Sequence, residues 1–116
     1  MEKTGKIHVI SDLNNPTNGS FLDLADGVNA RPNETFLTSS EKGLLGLVSH
    51  PADDGRIFVV YNARVGSVSY QRLSQIQASG TTADFGTEKV FIQERNDAGN
   101  HNGGDIHFGA DGYLYR

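Results

Sequence analysis

The chain has 116 residues, the size of one ordinary domain, and can bury about two-thirds of its unfolded surface. Fourteen acidic against ten basic residues give a formal charge of −4, and no Lys/Arg cluster exists to release counterions from phosphate, which argues weakly against a nucleic-acid partner. The absence of cysteine excludes disulfides and thiolate chemistry. No apolar run approaches the ~18 residues of a membrane helix, and the segment Met1 to Lys6 lacks the apolar stretch of a signal peptide.

Taken in chain order, short strands punctuated by turns dominate. Lys6 to Ile10 alternates and reads as a strand. Asn14 to Ser20 is a turn by composition, Phe21 to Leu24 a short extended piece, and residues 25–40 a loop rich in Asn, Pro, Ser and Thr. Gly43 to His50 is a compact apolar strand, Pro51 to Gly55 a turn, and Arg56 to Tyr61 a β-rich strand leaving it. Val65 to Gln77 reads as a longer strand. Its alternation puts Val68, Tyr70, Arg72 and Ser74 on one face and Ser69, Gln71, Leu73 and Gln75 on the other. Residues 78–87 read as a polar loop and Glu88 to Gln93 as the next strand. No sustained helical stripe occurs, so no long helix is expected. The sequons at Asn18 and Asn33 are what chance produces in a chain of this composition, and they matter only in a secretory context.

Near the end, Asn100-His101-Asn102-Gly103-Gly104 sets an imidazole among amides and glycines. Asp105 to Tyr115 then reads as strand, tight turn and second strand. A histidine in that setting is displayed on a loop at a strand's entrance, where functional groups are commonly held. On residue pattern alone, a loop histidine that hydrogen-bonds a turn is the better explanation. His50, before Pro51, reads as closing a turn, and His107, opposite Ile106 in its strand, as structural or channel-lining. His101, Asp105 and His107 match no zinc spacing, so no metal site is expected. Gly43, Gly46, Gly103 and Gly104 read as positions of close packing or positive φ, because no helix follows them as a phosphate cradle requires.

The chain also repeats itself. Gly46 to Phe58 aligns with Gly104 to Tyr115 as glycine, strand, Asp-Gly turn and strand, allowing one inserted Asp. Radial repetition of four-stranded sheets suits this pattern. A sandwich or open barrel that reuses Asp-Gly hairpins suits it too.

Glu41-Lys42-Gly43-Leu44-Leu45-Gly46-Leu47, His50-Pro51, the His101 loop and Asp111-Gly112-Tyr113-Leu114-Tyr115 together resemble the soluble quinoprotein sugar dehydrogenases. That group comprises the glucose/sorbosone and aldose sugar dehydrogenases and the Hedgehog-interacting-protein-like propellers. Lys3-Thr4-Gly5-Lys6-Ile7 and Phe21-Leu22-Asp23-Leu24 resemble earlier segments of the family, so the likeness runs nearly the whole length.

The resemblance implies an all-β chain: a sector, about two blades, of a six-bladed antiparallel β-propeller. It implies pyrroloquinoline quinone and calcium as cofactors of the parent protein, which oxidises the anomeric hydroxyl of an aldose to a lactone. His101 matches the family's general base, a role imidazole suits because it accepts protons near neutral pH. Glu41 and Asn100 match pocket residues that contact the sugar or orient the ring. The family's cationic ligands for the quinone carboxylates, and its calcium loop, match nothing in the chain, so most cofactor ligands are expected elsewhere in the parent. Relative to the family the chain is expected to be truncated at both ends. Alone it is expected to be inactive and to associate, with itself or with the rest of the propeller, through unpaired edges. A periplasmic or secreted location is the family's implication. A non-enzymatic protein- or carbohydrate-binding propeller of the Hedgehog-interacting type is the alternative.

Overall fold

A computed structural model describes residues 1–116. The chain is all-β apart from one short helix, and every strand pairing is antiparallel. β1 (Lys6–Val9) pairs with β2 (Gly19–Asp23), and α1 (Leu24–Asn29) follows directly. β3 (Glu34–Phe36), β4 (Leu44–Ser49), β5 (Arg56–Val65), β6 (Val68–Ser79) and β7 (Thr82–Arg95) form a five-stranded sheet. Within it β4, β5, β6 and β7 run as a continuous meander. β3 shares β5's free edge with β4, pairing at Ala63 to Val65 while β4 pairs at Ile57 to Tyr61. β8 (His107–Phe108) and β9 (Leu114–Tyr115) make a last hairpin.

The alternation of β5 decides how these layers stack. Ile57, Val59, Tyr61 and Ala63 face one way and join Ile7, Leu22, Leu24, Val28 and Ile76 in the larger core. Phe58 and Val60 face the other way, with Leu73, against Ile106, Phe108 and Leu114 of the final hairpin. A four-stranded meander packed between a hairpin before it and a hairpin after it is the face-to-face stacking of propeller blades, and the fold is a propeller sector. Each fully buried Val, Leu or Ile contributes about 1.5–3 kcal/mol, so β5, buried on both faces, is the strand both cores depend on.

Three parts of the sequence reading need correction. Residues 25–40 are not all loop. Asp23 caps α1 by accepting a hydrogen bond from the Asp26 N–H at 3.0 Å, and Leu24 and Val28, four apart, are both fully buried. A helix of six residues is too short to show a stripe, and β3 is only three residues long. Residues 78–87 are not a polar loop either. β6 runs to Ser79, Gly80 turns at φ 60°, and β7 starts at Thr82. The polar residues there belong to the outer strand, whose Ala83 and Phe85 pack against the larger core while the residues between them face solvent. Finally, Val65 ends β5 rather than starting β6, because Gly66, at φ 59°, makes the turn between them.

The larger core encloses a polar cluster. Arg72, 5 % exposed, donates from Nη1 and Nη2 to the two carboxylate oxygens of Glu34 at 2.8 and 3.0 Å. Tyr61 donates its hydroxyl to Glu88 at 2.5 Å, and Arg31 also bonds Glu88 at 2.5 Å. The Arg72 hydrogen bonds hold the Glu34 carboxyl below its ordinary 4.5 despite burial. Burial, and then the Glu88 carboxylate, push the Tyr61 phenol up. A depressed carboxyl adds stability that is present above its unfolded pKa and lost as pH falls through the folded value. Stability is therefore expected to decline as pH drops below 4.5. Glu34→Gln is expected to be less stable than the wild type at pH 7 and to lose less on acidification. Urea midpoints measured from pH 7 to pH 3 check this, and parallel curves for the two proteins would contradict it.

Candidate functional site

Two loops meet at one end of the meander, where β4 begins and β7 ends. The first joins β3 to β4 and carries Glu41. The second joins β7 to β8 and carries Asn100 and His101. The meander brings them together because an even number of antiparallel strands returns the chain to the end where it entered.

The contact between the loops is direct. The His101 backbone N–H donates to Glu41 Oε2 at 2.5 Å, across sixty positions of sequence. In return, the Glu41 N–H donates to the Gly99 carbonyl at 3.1 Å. His101 takes φ 57°, a left-handed conformation that is uncommon outside glycine, and Ser40, beside Glu41, takes φ 55°. The His101 side chain is exposed, and Glu41 Oε1 has no partner within the chain. Asn100 is exposed and bonds neither residue. The structure thus joins Glu41 to His101 and leaves Asn100 beside them.

Beneath this surface lies a layer of buried amides that the sequence reading missed. Asn62, fully buried on β5, accepts from the Gly43 N–H at 3.2 Å and donates to Asn102 Oδ1 at 3.4 Å. Asn96 Nδ2 donates to the same oxygen at 2.7 Å. Gln71, directly across from Asn62 on β6, donates to the Asn102 carbonyl. Asn102 Nδ2 is buried without a partner. The signal was present in the sequence: Asn62 shares the parity of Phe58 and Val60, so an amide stands on an apolar face.

The glycines behave as the sequence reading expected. Gly43, Gly103 and Gly104 have φ of 155°, 55° and 147°. Gly46, on β4, lies so close to the end of the His101 loop that a Cβ there would sit 2.0 Å from the Gly104 carbonyl oxygen. His50 does close a turn: its Nδ1 accepts from the Ala52 N–H at 3.0 Å and lies 3.1 Å from Arg56 Nη2. Next to it, the Arg56 side-chain hydrogen bonds hold the Asp54 carboxyl down at about 2. His107 is exposed and stacks on Tyr115 with ring centroids 5.7 Å apart, while Ile106 is buried.

The residues of the chain do not by themselves make a seat for a quinone or calcium. No three His, Cys, Asp or Glu side chains converge as metal ligands. Two lysines beside the loops are turned onto backbone carbonyls, Lys3 onto Ser40 and the buried Lys42 onto Asn96 at 3.0 Å for the latter, so neither ammonium stands free for a quinone carboxylate. No helix is long and apolar enough to cross a membrane. The family model for glucose/sorbosone dehydrogenase matches residues 1–116.

Proposed function

Because the chain belongs to the glucose/sorbosone dehydrogenase family, we propose that it is the N-terminal portion of a quinone-dependent sugar dehydrogenase, with His101 as general base. The base takes the proton of an aldose's anomeric hydroxyl as that carbon is oxidised to the lactone. The hydride acceptor is bound by other parts of the protein, with calcium, and these 116 residues alone are inactive. Catalysis then takes place outside the cell's cytoplasm, in the periplasm or beyond.

The observation that supports this reading is the hydrogen bond between the Glu41 carboxylate and the His101 N–H. It ties together the two segments that carry the family likeness. It also fixes a left-handed backbone that turns the imidazole out of the protein, where a substrate can meet it. Glu41 uses one carboxylate oxygen on His101 and has the other available for a sugar hydroxyl. Asn100, exposed beside the imidazole, is the second sugar contact. A polar, hydrogen-bonding rim suits a substrate whose surface is mostly hydroxyl groups.

The test is reconstitution of the intact protein with pyrroloquinoline quinone and calcium, followed by dye reduction with a panel of aldoses. Turnover with at least one aldose is the expected result. No dye reduction by protein that binds the quinone would overturn it in favour of a binding propeller. In the active protein, Glu41→Ala is expected to lower kcat/KM about tenfold, whereas Glu41→Gln, whose amide oxygen still accepts from the His101 N–H, keeps most of it. Steady-state kinetics on both variants check this.

A further inference from the structure

We propose that Asn62 is a positioning residue for the His101 base, acting through Asn102. The inference rests on the reading of His101 as the base, and goes beyond it by naming what holds that residue in place from below. Asn62 is fully buried, yet none of its side-chain bonds serves the core around it. Its oxygen accepts from Gly43, two residues after Glu41, and its nitrogen donates to Asn102, the residue after His101. One rigid amide on the central strand therefore touches both site loops.

The backbone strengthens the link. The Asn62 N–H donates to the Gly43 carbonyl at 3.0 Å and its carbonyl accepts from Leu37 at 3.0 Å, so the residue is fixed at the point where β3 gives way to β4 along β5. Asn102 is held from three directions, by Asn62, Asn96 and Gln71, and keeps this orientation although its own Nδ2 goes unpaired in a buried setting. A buried amide N–H without a partner is costly, and a native fold retains few of them. The arrangement spends that cost on placing the Asn102 oxygen. His101 and Asn102 are consecutive, so anchoring Asn102 inward fixes the direction in which His101 projects. Displacing a catalytic group by about 1 Å can cost up to 10²-fold in rate.

The test is a double-mutant cycle in the intact dehydrogenase, with Asn62→Ser and His101→Ala made singly and together, and kcat and KM measured for each. The expected result is that Asn62→Ser lowers kcat about tenfold with KM changed less than twofold, and has less than a twofold further effect once His101 is alanine. An equal tenfold loss in both backgrounds would mean a merely structural amide and would overturn the proposal. Unchanged kcat in Asn62→Ser would overturn it too. If Asn62→Ser does not fold, Asn102→Ala cuts the same link from the loop side, although Asn102 is itself buried, and is read by the same cycle. Should His101→Ala itself leave turnover unchanged, the base assignment fails at that step, separately from any result at Asn62.

Discussion

On the proposed reading of His101 as base, replacing it with alanine in the intact protein is expected to lower kcat by about 10²–10⁴-fold, the usual contribution of a general base. Quinone affinity is expected to stay within about twofold, because the imidazole makes no contact that builds the fold. The ring is exposed, and it is the backbone N–H, which alanine retains, that bonds Glu41. Alanine tolerates φ 57° less well than histidine or asparagine, so His101→Asn is the better control for the backbone. It keeps the left-handed turn and a polar side chain but no strong proton acceptor. An Asn variant as slow as the Ala variant would assign the loss to the base. An Asn variant at the wild-type rate would remove His101 from the chemistry. Titrating the quinone into each variant separates loss of chemistry from loss of cofactor.

Much of this was legible in the sequence, and the parts that were not share one cause. The strands of the meander showed because β4, β5 and β6 alternate or run apolar, and the turns at Pro51 to Gly55 and at Gly109 to Gly112 carry residues that turns require. The His101 loop showed because amides and glycines cluster there. What did not show is whatever depends on contacts between distant segments. α1 forms because Leu24 and Val28 have β1, β3 and the face of β5 to bury against, although six residues cannot hold a helix by propensity alone. Glu88 to Gln93 reads as a strand, but the mostly polar first part of β7, Thr82 to Thr87, is a strand only because the end of β6 pairs with it. The Glu41–His101 bond spans sixty positions and leaves no local trace in either loop. Asn62 escapes notice because the strand reads as ending at Tyr61; its parity with Phe58 and Val60 marks a buried amide only once β5 runs on to Val65.

The second large effect is expected at Gly46, where substitution by alanine tests the packing and the site together. A Cβ at Gly46 would lie 2.0 Å from the Gly104 carbonyl oxygen, which is backbone and cannot rotate aside. On the opposite side, a Cβ at Gly104 would meet the Leu45 side chain at 2.4 Å, so the two chains are already in contact along this seam. The seam must open, pulling Ile106 away from Phe58, Val60 and Leu73. Overpacking of this kind costs about 1–3 kcal/mol, and partial exposure of the smaller core adds to it. Gly66→Ala is the matched comparison. Gly66 has φ 59° and nothing within 4 Å of a Cβ, so alanine there bears only the left-handed backbone, about 1 kcal/mol. Urea denaturation is expected to rank Gly46→Ala well below Gly66→Ala. Kinetics should separate them further. Gly104 closes the loop that presents His101, and a seam forced open at Gly46 displaces that loop, so kcat falls in the Gly46 variant and is unchanged in the Gly66 variant. Equal stabilities would mean that the sheet and the hairpin are not packed as tightly as the glycine pair requires. A stable Gly46→Ala with full activity would mean that the loop takes its position from the amide layer alone.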